Sequence, residues 1–406
     1  MKHRDDGLIT VLDVGSSKVC CLAAELHDGA LRYRGHGVAE GRGMRRGVVS
    51  ELGPATACIR EAVEAAEKIA GGMIARAVVG VGGPHVRGVN SCGGITLGSR
   101  MREITREEVR AAVDRARSVS LEPDRDVLHL LPQEFVLDHQ AGIHDPVGMI
   151  GSRLEVNLHM STCGAGIMQS IVTAANRAGV EIDDTVYEGV ASAEGVLSAD
   201  ERELGICLAD IGAGSTEIIV YYEGAVAHTA VLPIGGDHFT NDLAVGLRIS
   251  VSQAERLKLE HGHAVVTAVP QINQIELPGD AEHEPRSVSL RMVAEILEAR
   301  ATELMKMLRD NLRTGGVLEA LGAGCVLTGG GACLPGMLDI AENTLRVHAR
   351  VGTPVPISKM PQALAGPEYS TVLGMMLYTH RKLQSRAGEE TSLRAKLRAK
   401  LFAGSL

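Results

Sequence analysis

Two stretches of the chain set a carboxylate beside a glycine-rich turn and small hydroxyls, the combination that holds a phosphate chain and its metal ion. In ICLADIGAGSTEII (206–219) an apolar run leads to Asp210, then to Gly212, Gly214, Ser215 and Thr216, and a second apolar run follows. Glycines without side-chain bulk let backbone N–H groups approach an anion closely. The hydroxyls add donors, and Asp210 offers a carboxylate suited to holding a metal ion through water. TVLDVGSSKVCCLA (10–23) has the same grammar, with Asp13, Gly15, Ser16, Ser17 and a mobile positive charge at Lys18. Each copy continues into a hairpin turn signal, Asp28-Gly29 or Glu223-Gly224, and a further strand-like stretch. The P-loop pattern GxxxxGK[ST] is absent, so these are clamps on β-hairpins. Two such hairpins facing each other would grip a triphosphate from opposite sides. The expected ligand carries a phosphate chain, with its metal ion flanked by Asp13 and Asp210.

A third piece belongs with them. CVLTGGGACLPG (325–336) puts a buried-looking strand before Gly329, Gly330 and Gly331, with Ala332 and Leu334 opening a helix. Bare backbone there would let an adenosine lie against it. Gly235 and Gly236 precede another helix near Asp237, a second anion-friendly position. SVSQAERLKLEHGH (250–263) suits an amphipathic helix capped by Ser252, with Glu255 three residues on and Lys258 on the same face. Together the three glycine-rich segments resemble the phosphate 1, phosphate 2 and adenosine motifs of the actin/Hsp70/sugar-kinase superfamily. The resemblance implies an α/β, actin-like (ribonuclease H-like) fold, two domains around a nucleotide cleft. It also implies that Glu255 and Lys258 point toward ribose and adenine.

Composition sets the bounds. At 406 residues the chain should hold two or more domains, and with no Trp and 2% aromatics its core must be aliphatic. A net charge of −9 argues against a general nucleic-acid binder. The cysteines at 20, 21, 58, 92, 163, 207, 325 and 333 form no CxxC pair and read as small buried hydrophobes. No signal peptide precedes Leu8 and no apolar run approaches the ~20 residues that span a bilayer, which reads as a cytosolic, reduced protein.

Along the chain, 54–70 carries Ile59, Val63, Ala66 and Ile69-Ala70 at helical spacing, and 77–83 reads as a strand closed by Gly82-Gly83-Pro84. Residues 85–163 then behave as an inserted module. It holds a helix capped by Thr105 with Glu108, and strands over 127–137 and 154–163. His139, His144 and His159 fit no standard ligand spacing and read as solvated or structural. Helices follow at 167–179, capped by Gly179, and after Tyr187. Residues 270–287, rich in Pro and charge, are expected to form strands joined by loops. A long helix over 288–313 should have Val293, Ile296, Leu297, Leu304, Met307 and Leu308 as its core stripe.

PQEF, the DHQAGIHDPVGMIGSRLE stretch and the alternating strand after it, within 132–163, resemble the inserted subdomain of the bacterial cell-division FtsA family. The motif order runs unbroken from about residue 8 to 380, and only the related pilus-assembly PilM proteins share such an insert. The resemblance implies a first domain over 1–84, 164–200 and 361–383, with the insert at 85–163. A second domain would occupy 201–238 and 305–360, with its outer subdomain at 239–304. It further implies that Arg300 and Glu303 fall in a partner-binding region for the C-terminal tail of tubulin-like FtsZ. Glu188 aligns with the hydrolytic Glu of the filament protein MreB, the competing reading being an ordinary helix-start Glu.

The last residues add a distinct feature. A polar linker (384–391) leads to SLRAKLRAKLF within 392–406, where Leu393, Leu397 and Leu401 recur every four residues beside Phe402. Arg394, Lys396, Arg398 and Lys400 sit among them without an acid. Such a helix is marginal in water, but on an anionic membrane its leucines embed and each basic residue gains about 1 kcal/mol. It matches the membrane-targeting tail of the FtsA family. The expected function is therefore an ATP-binding tether of the FtsZ ring, with weak ATPase activity an open question. It would polymerise on the cytoplasmic face of the inner membrane and meet anionic lipids, copies of itself and other divisome proteins, but no nucleic acid. A PilM-like pilus adaptor and a small-molecule kinase of the same superfamily are the alternatives.

Overall fold

The computed structural model describes residues 7–98, 101–118, 122–277 and 285–385. The membrane segment expected at 392–406, and all but the first two residues of the linker, lie outside the described residues. Gln384 and Ser385 still belong to a helix running from 370, so the folded pattern extends just past Leu383.

Two five-stranded sheets repeat one topology. In the first, Leu8–Val14 lies at the centre, antiparallel to Lys18–His27 and parallel to Arg76–Val81. Ala30–Glu40 and Glu181–Tyr187 form the edges. In the second, Ile206–Ile211 takes the central place, antiparallel to Thr216–Tyr222 and parallel to Gly324–Thr328. Ala225–Leu232 and Ala349–Val351 are outermost. The duplicated grammar of the sequence is thus a duplicated sheet.

The helices pack as their apolar faces dictate. Leu52–Ala70 buries Ala55, Cys58, Ile59, Ala62, Val63, Ala66 and Ala70 against the first sheet and ends at Gly71 in the left-handed conformation. Ile69 is not part of that face; it is 55% exposed. The helix lies close on Ala30–Glu40, because a Cβ at Gly37 would stand 1.9 Å from the Ala62 carbonyl oxygen. Residues 370–385 return to the first sheet, where Val372, Leu373, Met375 and Met376 join Val11, Cys20 and Leu22. In the second half the 25-residue helix Leu290–Thr314 buries Val293, Leu297, Leu304 and Leu308, while Ile296 and Met307 are half-buried at its margin.

Residues 87–164 form a separate four-stranded sheet with the helix Arg106–Arg117 across it, capped by Thr105 and Glu108 as expected. Of its histidines, His139 and His144 are exposed and His159 is buried between Asn90 and Thr229. Among the described residues no cluster of three or more ligating side chains could hold a metal ion.

Other local expectations shift. The helix Val251–His261 is capped by Ser250 with Gln253, not by Ser252 with Glu255. Arg248 ends the preceding helix in the left-handed conformation, so the chain turns two residues earlier than the Ser252 reading required. Residues Gly330–Cys333 make a 3-10 turn, and the helix expected from Ala332 begins at Met337 after left-handed Gly336. Cys92 and Cys333 are exposed, whereas the other six cysteines are buried.

Candidate functional site

The two glycine hairpins close in the same way. Gly15 N–H donates to the Lys18 carbonyl at 3.0 Å, and Gly212 N–H to the Ser215 carbonyl at 2.9 Å. A Cβ at Gly214 would lie 2.8 Å from the Arg46 Cα, so glycine is there for close approach. Both tips, together with Gly329, Gly330 and Gly331, line one cavity of about 560 Å³. Asp13, Ser16, Ser17, Lys18, Glu188, Asp210, Ser215, Glu255, Lys258 and Leu334 line it as well. The second sheet is therefore set against the first with both turns opening into a shared space.

Two expected donors are engaged elsewhere. The Thr216 hydroxyl is buried and donates to the Ile234 carbonyl at 2.7 Å. At the helix Gly236–Leu247, Gly236 N–H bonds the Gly212 carbonyl at 2.9 Å and Asp237 N–H the Ala213 carbonyl at 2.8 Å. Gly235 packs on the hairpin and Gly236 reaches the cavity, but the first donors of this helix brace the second hairpin instead of facing an anion.

Beneath the hairpins four carboxyl groups are buried together. Asp210 faces Glu217 across the strand pair, so their side chains share one face of the sheet. Asp210 Oδ2 accepts from the hydroxyls of Ser192 at 2.5 Å and Thr371 at 2.9 Å. Glu217 accepts the Gly83 N–H at 2.6 Å, leaving its Oε2 without a partner. Burial raises all four proton affinities: Asp13 to about 6, Glu217 to about 8, Asp210 upward and Glu188 well above the usual carboxylate range. Neighbouring acids add to the rise at Asp13, Glu217 and Glu188, and Lys18 opposes it at Asp13 and Asp210. An orphaned carboxylate oxygen among crowded acids fits a divalent cation.

At the other end Lys258 pairs with Glu255 at 2.8 Å and donates to Thr240 Oγ1 at 2.8 Å and the Gly236 carbonyl at 3.1 Å. Lys18 donates to the Glu368 carbonyl at 2.5 Å and sits 3.7 Å from the Tyr369 ring centre. Arg300 and Glu303 lie apart from the cavity. Arg300 is bidentate to Asp242 and pairs with Glu303 at 2.6 Å, leaving Glu303 the more exposed of the two. Sequence reasoning missed Glu217, Ser192, Thr371, Glu368 and Tyr369. Only Glu217 left a local signal: extending the hairpin one residue past Thr216 places it opposite Asp210.

Comparison with known proteins bears on this architecture. A family model described as "Cell division protein FtsA" matches residues 207–374, and one described as "SHS2 domain inserted in FTSA" matches residues 83–162. The chain is 38% identical over 372 residues to the cell division protein FtsA of Pseudomonas aeruginosa, covering 91% of this chain and 89% of that one. The chain belongs to the FtsA family of cell division proteins. Its FtsA relatives in Escherichia coli K12 and Bacillus subtilis are 36% and 32% identical. Each match covers 93% of this chain, with 91% and 85% of the respective relative. Among solved structures, the PilM-PilN type IV pilus biogenesis complex aligns with TM-score 0.64 at 16% identity, over 91% of this chain and 98% of that one. MreB5 of Spiroplasma citri bound to AMPPNP aligns with TM-score 0.56 at 12% identity, over 95% and 100%. The fold of this FtsA-family protein is actin-like, two domains with an SHS2 insert.

Proposed function

We propose that this FtsA-family protein binds ATP with Mg2+ between its two glycine hairpins. It would tether the FtsZ ring to the cytoplasmic face of the cell membrane through residues 392–406, assembling there into filaments. The observation that carries the nucleotide reading is the single cavity shared by Gly15, Gly214 and the 329–331 glycines. The related fold of MreB5, solved with AMPPNP, supports it. Asp13 and Asp210 are assigned the Mg2+, through water, where the ion supplies charge neutralisation for phosphates among acids. Ser16, Ser17, Ser215 and Lys18 face the phosphates, and Glu255 and Lys258 the nucleoside. Hydrolysis, if slow, is assigned to Glu188, whose buried carboxyl lines the cavity near Asp13 and Glu217. The exposed Glu303 and its partner Arg300 are assigned to the FtsZ tail.

One set of proteins tests the reading: the full chain, the chain truncated after Leu383, and Glu188→Ala. In flotation with anionic vesicles the full chain should rise and the truncated one stay behind. Equal flotation would remove the tether. In phosphate-release assays Glu188→Ala should turn over at least about 100-fold more slowly, the lower end of what a positioned base contributes. Unchanged turnover removes Glu188 from the mechanism.

A further inference from the structure

The cavity wall has a charge problem that the assigned residues leave open. Among the described residues, seven carboxyl side chains line it against two lysines. Lys258 is paired with Glu255, and Lys18 is drawn to the Glu368 carbonyl and the Tyr369 ring. A triphosphate brings several more negative charges into the same space, and one divalent cation offsets only part of them.

A basic residue stands at the rim, on a short hairpin outside the glycine motifs. Met44-Arg45 pairs with Val48-Val49. The two residues between them, Arg46 and Gly47, both have positive φ, 52° and 73°. That is the tight hairpin turn in which Asn-Gly is the commonest pair. Its tip touches both phosphate clamps. Gly47 lines the cavity and its N–H donates to the Ser16 hydroxyl at 3.2 Å. The Arg46 backbone fills the space that Gly214 leaves by having no side chain. The Arg46 guanidinium itself is exposed, beside the cavity-lining Gly47 and 3.4 Å from His238 in the first turn of the Gly236–Leu247 helix. The hairpin therefore bridges the first-domain clamp, the second-domain clamp and the helix that braces it.

We propose that Arg46 binds the terminal phosphate of the nucleoside triphosphate in this cleft, from a hairpin that straps the two clamps together. A guanidinium presents a planar fork of donors to phosphate oxygens, and its charge does not titrate. A diphosphate, one group shorter, leaves Arg46 with its present neighbour. The contact distinguishes ATP from ADP. This rests on the nucleotide reading above.

The test is equilibrium binding of ATP and ADP, each with Mg2+, to the full chain and to Arg46→Asn, Arg46→Lys and Arg45→Asn. Asparagine accepts the left-handed backbone, so Arg46→Asn removes the guanidinium without straining the turn. Arg46→Asn should lose at least tenfold in ATP affinity and less than twofold in ADP affinity. Arg46→Lys, which keeps the charge, should recover part of the loss, and Arg45→Asn should match the parent. Arg46→Asn binding ATP as the parent does, or losing both nucleotides equally, overturns the proposal and leaves the nucleotide reading intact. A parent chain that binds neither nucleotide overturns both.

Discussion

At the scale of single residues, the buried acids make the cleft sensitive to pH. Glu217 holds its proton up to about 8, against an ordinary 4.5, because burial penalises its charged form and Asp210 lies opposite. Between those values the folded chain carries a proton that the unfolded chain has released, so stability falls as pH rises, by about 1.4 kcal/mol per pH unit for each such proton. The histidines act in the opposite sense. His85, His129 and His159 are pushed down from 6.5 to about 4 by burial, so their contribution is complete above 6.5 and lost as pH falls through 4. Stability without ligand should therefore peak in mildly acidic solution. Glu217→Gln, which cannot ionise, should flatten the decline between pH 5 and 8.5 in thermal unfolding. Parallel curves for parent and variant would show that another group sets the slope.

At the scale of elements, close backbone approach does work that side-chain patterns do not announce. Gly35 and Gly37 let the Leu52–Ala70 helix settle on the outer strand of the first sheet; a Cβ at Gly35 would come within 2.7 Å of Ala70 N and 2.8 Å of the Ala66 carbonyl. Gly37→Ala should cost about 3 kcal/mol, the upper part of the range for overpacking, because the obstacle is helix backbone with no rotamer to change. Chemical denaturation measures this, and a loss below about 1 kcal/mol would mean that the helix slides freely. Nothing in the sequence marked those glycines. The hairpins were legible because an Asp, a glycine turn and hydroxyls occur twice in one order, and the long helices because their apolar residues recur with helical period. What escaped were features made by contact between distant segments. Thr216 reads as a donor to phosphate until Ile234 is placed beside it. Gly235 and Gly236 read as an open helix start until the hairpin carbonyls occupy the helix's first donors. Ser192 and Thr371 become partners of Asp210 only when two helices meet beneath it.

At the scale of the whole molecule, the insert belongs in sequence to the first domain yet is fastened to the second. Asn90 Nδ2 donates to the Ala227 carbonyl at 3.2 Å, and Gln133 Nε2 to the Val226 carbonyl at 2.8 Å. His159 lies between Asn90 Oδ1 at 2.6 Å and Thr229 Oγ1 at 2.9 Å. Burial keeps that imidazole neutral at physiological pH, so the acceptor at Asn90 assigns the proton to Nδ1 and leaves Nε2 to accept from Thr229. All three contacts fall on the strand Ala225–Leu232, which pairs with the returning strand of the second glycine hairpin. A shift of that hairpin on nucleotide binding has a hydrogen-bonded route into the insert, through one strand and three side chains. Asn90→Ala with Gln133→Ala cuts two of the links. Each is worth about 1 kcal/mol, and losing Asn90 Oδ1 also orphans the buried His159 Nδ1–H at about 1–3 kcal/mol, so global stability should drop by about 3–5 kcal/mol. Hydrogen exchange then separates coupling from mere stability. In the parent chain ATP should slow exchange in both 225–232 and 87–96; in the double variant it should still protect 225–232 but leave 87–96 unchanged. Protection of 87–96 to the same extent in both proteins would show that the insert senses the cleft by another path.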